Sequence, residues 1–110
     1  MEHTLANIQT LAFLARGGRR GYLVGPDSVA TALAGGEIAF GAERGGYVSV
    51  LALSDRATVD IEGLKYELRG GRLTNDFPVG ASNEFAGRPA LIRATSGEVA
   101  VIFPRRCLRL

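Results

Sequence analysis

The sequence predicts a mainly β fold, a jelly-roll-like sandwich or barrel with one N-terminal helix. With 110 residues, 46% of them apolar, the chain is long enough to bury one hydrophobic core. Its apolar segments are short and follow one another at the spacing typical of strands in sandwiches and barrels. Its 15 glycines lie mainly between these segments, where tight turns need backbone angles that other residues avoid.

The N-terminal segment has a different period, because its apolar residues repeat every three or four positions. These residues are Leu5, Ile8, Leu11, Ala12 and Ala15. They form one stripe of a helix predicted over residues 4–16, for which Thr4 is a suitable N-cap and Gly17 and Gly18 are a stop signal.

Nine segments after the helix are apolar, short and separated by turn signals, which favours strands. They are residues 20–25, 29–33, 37–40, 47–53, 57–61, 64–68, 72–73, 90–94 and 99–103. The longest stretch without a clear period lies between Asp76 and Pro89. A change of pattern at residues 41–46 predicts a soft boundary between an N-terminal segment, residues 1–41, and a β-rich remainder, residues 42–110.

Charge and cysteine content limit the partners and the cellular compartment that can be expected. The 13 basic and 11 acidic side chains give a net charge of +2, and the arginines are scattered, so no nucleic-acid partner is expected. Three arginines near the C-terminus, Arg105, Arg106 and Arg109, are expected to form a solvated end. The single Cys107 cannot form an intramolecular disulfide, which favours a reducing, cytoplasmic setting. The N-terminus lacks the features of a signal peptide or membrane anchor, so no membrane partner is expected.

Few side chains are placed for covalent or metal chemistry. His3 and Cys107, the only histidine and cysteine, lie near opposite ends of the chain, which disfavours a nucleophile with its base and a zinc site. Lys65, the only lysine, lies in a strand pattern, so the chain has no lysine-containing phosphate-binding loop. Asp60 and Glu62 share one face of a predicted strand and could hold a divalent cation. We expect them instead to be solvated while their neighbours face the core, so no metal site is assigned.

Four sequence blocks, taken together, are similar to one protein family. They are EHTLANI at residues 2–8, GGYVSVL at 45–51, GLKYEL at 63–68 and SNEF at 82–85. The last three match the family in both order and spacing, which is more specific than any single block. The chain thus resembles the second half of the thiamin pyrophosphokinases. The resemblance implies that residues 1–41 are the end of the family's nucleotide-binding α/β domain and that residues 42–110 are its thiamin-binding β domain.

The resemblance implies a thiamin site with three named residues. Ser82 and Asn83 are expected to contact the aminopyrimidine ring, whose donors and acceptors suit a hydroxyl and an amide, although residues of these types are also typical of turns. Tyr66, where the family often has Trp, is expected to stack on the pyrimidine or on the cationic thiazolium ring. The alternative for Tyr66 is a place in the core or on the sheet surface, because Lys65 and Tyr66 would face opposite sides of a strand. Asn83 is expected to contribute little to folding, and Lys65 to be structural or solvated.

The family's enzymes transfer pyrophosphate from ATP to thiamin, which gives thiamin diphosphate, with Mg²⁺ held by acidic residues of their N-terminal half. The chain has no counterpart of those acidic segments, so we expect it to bind neither Mg²⁺ nor ATP by itself and to be inactive alone. Glu2 lies where the family usually has Asp and is the one catalytic candidate, with its carboxylate displaced by one methylene. The resemblance also implies that thiamin is the ligand and that the β domain forms a homodimer.

Two other functions are alternatives. A truncated homologue could serve as a non-catalytic β module for dimerisation or for binding a small ligand. A sugar-binding or cupin-like barrel is disfavoured, because the chain lacks the histidine ligands that metal-binding barrels use.

Overall fold

Nine antiparallel strands form two sheets in this computed structural model, which describes residues 2–75 and 83–108. The elements are α1 (Glu2–Arg16), β1 (Leu23–Val24), β2 (Ser28–Ala34), β3 (Glu37–Phe40), β4 (Tyr47–Ala52), β5 (Arg56–Glu62), β6 (Leu68–Thr74), β7 (Asn83–Glu84), β8 (Ala90–Ser96), β9 (Glu98–Pro104) and a 3₁₀ turn (Arg105–Cys107). The first sheet has the strand order β1-β2-β9-β4-β7, and the second has β3-β8-β5-β6. The predicted fold, a mainly β sandwich with one N-terminal helix, is confirmed.

The core lies between the two sheets and consists of the inward-facing residues of their strands. In β5, Val59 and Ile61 have no solvent exposure, while the residues on either side of them are partly exposed. Phe40 of the second sheet packs edge-on against Phe103 of the first, with ring centroids 5.1 Å apart. It packs in the same way against Phe85, which follows β7, at 5.3 Å. These aromatic contacts join the two sheets beside the segment that carries the candidate site.

Helix α1 packs on the outer face of the first sheet. Leu11 and Ala15, from the predicted apolar stripe, are buried against Ala32 of β2. Arg16 forms a two-pronged ion pair with the Glu98 carboxylate of β9, with N···O distances of 2.8 and 3.0 Å. No helix among the described residues has the length and apolar character needed to span a bilayer.

The two ends of α1 test the predicted boundary signals. Gly18 has a φ of +77°, and the N–H of Arg19 donates to the carbonyl of Leu14 at 2.8 Å, which completes a Schellman motif. The predicted stop is therefore confirmed. The helix begins at Glu2, so Thr4 lies inside it and the predicted N-cap is wrong.

Two predicted strands differ from the structure. The strand predicted over residues 64–68 is not formed: residues 63–67 form a bend, in which Leu64 makes a single β-bridge with Phe85, and β6 begins only at Leu68. The cause is Gly63, whose φ of +82° turns the chain at the end of β5. No other residue fits there, because a Cβ would clash with the carbonyl oxygen of Pro89. The predicted strand at residues 20–25 is reduced to the two residues of β1, and β7 is a strand that the pattern did not predict.

Strands from both sides of residues 41–46 build the same two sheets. β2 pairs with β9 along its whole length, from Ser28 opposite Pro104 to Ala34 opposite Glu98. β3 likewise pairs with β8. The division into residues 1–41 and 42–110 stays a prediction, but the described strands before and after that point are hydrogen-bonded to one another.

Candidate functional site

The bend at residues 63–67 is held by hydrogen bonds along its backbone. At its start, the N–H of Gly63 donates to the Glu67 carboxylate at 2.8 Å. The carbonyl of the fully buried Leu64 accepts from the Arg88 guanidinium at 3.2 Å. The N–H of Lys65 donates to a backbone carbonyl of β7 at 2.9 Å. The bend is therefore a well-bonded loop on a sheet scaffold, which is where binding side chains concentrate in proteins.

Asn83 of β7 holds the next residue of the bend, Tyr66. Only 1% of Asn83 is exposed. Its side-chain Nδ2 donates to the carbonyl of Tyr66 at 2.7 Å, and its Oδ1 accepts from the N–H of Tyr66 at 3.0 Å. Oδ1 also accepts from the N–H of Glu84 at 3.0 Å. The Asn83 amide thus bonds both polar groups of the Tyr66 backbone, as a neighbouring strand would.

This arrangement changes the role expected for Asn83. A buried amide with three hydrogen bonds contributes to stability, because its removal leaves backbone donors and acceptors without partners. The expectation that Asn83 contributes little to folding is therefore revised. Its direct contact with a ligand stays a prediction, while the hydrogen bonds give it a positioning role for Tyr66.

The ring of Tyr66 projects from the bend toward solvent, with 58% of the residue exposed. The expectation that Lys65 and Tyr66 face opposite sides of a strand is wrong, and so is a core position for Tyr66. A second tyrosine, Tyr47 of β4, is 71% exposed and lies directly opposite Glu84 of β7 in the ladder. We call the patch formed by Tyr47, Lys65, Tyr66 and Glu84 the tyrosine surface.

The charges on the tyrosine surface belong to Lys65 and Glu84. The Nζ atom of Lys65 lies 3.9 Å from Oε1 of Glu84 and 5.5 Å from the centroid of the Tyr66 ring. The two charged side chains are 53% and 37% exposed, so water and salt weaken their attraction. Lys65 is solvated, as expected, and its ammonium also lies over the Tyr66 ring.

Two predicted site residues cannot be placed. Ser82 lies outside the described residues, so its contact with thiamin stays a prediction. Glu2 is the first residue of α1, but its side chain also lies outside the described part of the chain. Its catalytic role stays a prediction as well.

Asp60 and Glu62 have the orientation predicted for them, on the outer face of β5. Asp60 is bonded rather than simply solvated, because its Oδ1 accepts from the N–H of Gly70 at 2.7 Å and its Oδ2 lies 3.9 Å from the Arg93 guanidinium. Among the side chains that the structure describes, which exclude those of residues 2–8, no three His, Cys, Asp or Glu residues come together as a metal site.

The expectation that the arginines near the C-terminus form a solvated end is wrong for Arg106. The Nη2 of Arg106 donates to the carbonyl of Gly45 at 2.6 Å, and its Nε lies 3.5 Å from the Glu43 carboxylate. Arg106 therefore ties the 3₁₀ turn to the loop before β4. Arg105 is exposed, and Arg109 lies outside the described residues.

Sequence reasoning did not single out Tyr47 or Glu84 as functional. Both belong to blocks that carry the family resemblance, and each is next to a buried residue, Val48 or Asn83. Alternation along a strand would have placed both on an outer face. Their pairing could not be predicted, because β7 has only two residues and Tyr47 is 37 positions away from Glu84.

Two cavities among the described residues lie away from the tyrosine surface. One cavity of about 380 Å³ lies between the end of α1 and the turn after β2, and another of about 490 Å³ lies beside Phe13. None of the four residues of the tyrosine surface lines either cavity.

The fold and this surface define an antiparallel sandwich that presents exposed tyrosines beside a well-bonded bend. The family model described as the vitamin B1 binding domain of thiamin pyrophosphokinase matches residues 37–99, which is more than half of the chain. The chain therefore belongs to this family. Comparison with the curated proteins gave no significant match.

Several solved structures share the fold. A thiamine pyrophosphokinase from Bacillus subtilis superposes with a TM-score of 0.82 at 22% identity, over 94% of this chain and 49% of that chain. A thiamin pyrophosphokinase from Candida albicans gives a TM-score of 0.78 at 14% identity, over 94% of this chain and 40% of that chain. A thiamin pyrophosphokinase family protein from Enterococcus faecalis gives a TM-score of 0.69 at 26% identity, over 94% of this chain and 50% of that chain. The chain thus spans half or less of the length of each of these three structures.

Proposed function

We propose that this chain is the thiamin-binding part of a thiamin pyrophosphokinase and that thiamin binds at the tyrosine surface. The observation that carries the proposal is the bend at residues 63–67, where Asn83 holds the backbone of Tyr66 and leaves the ring exposed. The bend lies within residues 37–99, which match the family model. An exposed ring on a well-bonded backbone is preorganised for stacking, because little freedom is lost when the ligand arrives.

The chemistry of thiamin suits this surface. Both of its rings are flat, and the thiazolium ring carries a positive charge that attracts the face of a tyrosine. In the proposal, Tyr66 stacks on the ligand and Asn83 positions Tyr66. The hydroxyl of Ser82, the residue before Asn83, contacts the aminopyrimidine, and Asn83 itself can add a direct contact.

We propose in addition that the chain acts as a homodimer. In the proposal the tyrosine surface contacts one side of the ligand, and a second copy would supply surface to cover the ligand from the other side. Three strands at the ends of the two sheets, β1 in one and β3 and β6 in the other, also offer edges at which a second copy could pair. Light scattering of the purified chain is expected to give the mass of a dimer. A monomer mass at all concentrations would contradict this.

Pyrophosphate transfer from ATP to thiamin belongs, in this proposal, to the whole family enzyme, in the cytoplasm. Mg²⁺ and ATP are assigned to none of the described residues, and Glu2 is kept as the catalytic candidate. We accordingly expect the 110-residue chain alone to form no thiamin diphosphate. The alternative of a non-catalytic module is not favoured by the family match.

Titration of the ¹⁵N-labelled chain with thiamin, followed by amide chemical shifts, tests the binding proposal even at millimolar affinity. The largest shifts are expected at the tyrosine surface. Tyr66→Ala is expected to weaken binding about tenfold, because a stacking contact is lost. Phe13→Ala is the matched control, since Phe13 is an exposed aromatic residue of α1, at 68% exposure, outside the tyrosine surface. Equal affinity of the two variants would refute the assignment.

A further inference from the structure

The cavity of about 380 Å³ between the end of α1 and the turn after β2 combines basic residues with buried apolar ones. We call it the arginine cavity; it is lined by Ala15, residues 18–20 and residues 32–36. Two of these residues are arginines, Arg19 and Arg20, and none is acidic. Three others, Ala15, Ala32 and Leu33, are less than a tenth exposed. The volume lies within the range of roughly 300–1,000 Å³ that is typical of small-molecule sites.

The positive charges of Arg19 and Arg20 are not balanced by an ion pair with any described carboxylate. The guanidinium of Arg19 makes no hydrogen bond within the described part of the chain. That of Arg20 donates through Nη2 to the carbonyl of Glu37 at 2.5 Å. This bond ties Arg20 to the start of β3 and leaves its other N–H groups available to a ligand. Two guanidinium groups on one cavity attract anions, since each can bind a phosphate or a carboxylate through two parallel N–H groups.

The negative groups next to the arginine cavity are already bonded to other partners. The carboxylate of Glu37, the residue after the cavity's glycine turn, lies 3.5 Å from the Arg93 guanidinium. The Glu98 carboxylate is held by Arg16 at 2.8 and 3.0 Å. The carbonyls in the last turn of α1 accept hydrogen bonds from the N–H groups of residues 17–19, which reduces the repulsion that a helix C-terminus exerts on an anion. The cavity therefore keeps its positive charge.

We propose that the arginine cavity binds a compact organic phosphate, with the phosphate group between Arg19 and Arg20 and the organic part against the buried apolar residues. A phosphate monoester carries roughly 1.5 to 2 negative charges at pH 7, which match two guanidinium groups better than the single charge of a carboxylate does. Three lining residues are glycines, Gly18, Gly35 and Gly36, and a Cβ at any of them would meet no heavy atom within 4 Å. A ligand can therefore approach the backbone closely there.

The test titrates the ¹⁵N-labelled 110-residue chain with phenyl phosphate at low ionic strength and follows the amide shifts. The largest shifts are expected at residues 18–20 and 32–36, and they are expected to decrease as salt is added. Two probes with the same ring, benzoate and uncharged phenol, separate the contributions of charge and ring. Phenyl phosphate is expected to bind about tenfold more tightly than phenol, with benzoate between them. Equal binding of phenol would overturn the proposal, and equal binding of benzoate would refute the preference for phosphate.

Two arginine variants test the assignment to Arg19. Arg19→Gln is expected to weaken phenyl phosphate binding about threefold to tenfold and to leave phenol binding unchanged, because one of the two guanidinium groups is lost. The fold is expected to tolerate this change, since the Arg19 side chain has no partner among the described residues. Arg72→Gln is the matched control, because Arg72 is an exposed arginine of β6 that does not line the arginine cavity.

The control separates a site from a general attraction between the basic chain and an anion. Arg72→Gln is expected to bind phenyl phosphate as the wild type does. Equal affinities of Arg19→Gln and Arg72→Gln would overturn the proposal, and so would shifts that fall outside the cavity or are absent. Thiamin binding is measured at the tyrosine surface, which shares no residue with this cavity, so either proposal can fail while the other stands.

Discussion

Replacing Asn83 by Ala tests whether one buried amide holds the bend that presents Tyr66. The substitution removes three hydrogen bonds, two to the backbone of Tyr66 and one to the N–H of Glu84. Each such bond contributes about 1 kcal/mol net, and water can reach part of the half-exposed bend, so we expect a loss of about 2 kcal/mol of unfolding free energy. For a domain of this size, that corresponds to a decrease in Tm of about 10 °C.

Thermal unfolding followed by circular dichroism measures this loss, and hydrogen exchange locates it. The amide protons of Tyr66 and Glu84 are expected to exchange faster in the variant, because both lose their acceptor. Asn75→Ala is the matched control: Asn75 is exposed, and its side chain makes one long contact with Asp55 at 3.5 Å. Its effect is expected to stay within about 0.5 kcal/mol. If Asn83→Ala and Asn75→Ala unfold at the same temperature, the positioning role of Asn83 is refuted.

Three further substitutions have expected outcomes. Gly63→Ala is expected to lower the free energy of unfolding, measured in urea, by more than about 3 kcal/mol, because a positive φ and a clash with the Pro89 carbonyl act together. Gly70→Ala is the control: Gly70 has a φ of +60° but open space around it, so a loss of about 1 kcal/mol is expected. Similar losses for the two variants would contradict the steric reason. Tyr66→Trp is expected to tighten thiamin binding in the amide-shift titration, since Trp offers the strongest cation–π face, and a weaker affinity would argue against stacking. Arg16→Ala is expected to lower the free energy of unfolding in urea by less than about 1 kcal/mol, and by less still at high salt, because the Arg16 side chain of the ion pair with Glu98 is half-exposed. A large loss that does not depend on salt would show that Arg16 acts through packing instead.

The elements that sequence patterns predicted well are those determined by local periodicity. The stripe at Leu11 and Ala15 needs only a helical period and a glycine stop, and β5 needs only alternating burial. These signals lie within a few residues of the structure they predict. Six of the eight strands predicted outside residues 64–68 accordingly correspond to observed ones with small differences at their ends, whereas the strand predicted at residues 20–25 is reduced to β1 and the one at 72–73 is part of the longer β6.

The bend at residues 63–67 could not be predicted in this way, although apolar Leu64, Tyr66 and Leu68 alternate as they would in a strand. Its shape depends on the positive φ of Gly63 and on the Asn83 amide, which bonds Tyr66 from 17 positions away. A local pattern contains no information about such a distant partner. For the same reason, the family resemblance could name Asn83 and Tyr66 but could not show that one holds the other.

Intermolecular nuclear Overhauser effects between thiamin and the chain test the central claim most directly. The account predicts contacts from thiazolium protons of thiamin to the ring protons of Tyr66, and none to the ring of Phe13. Contacts only to Phe13, or to residues that line the two cavities, would contradict the assignment of thiamin to the tyrosine surface.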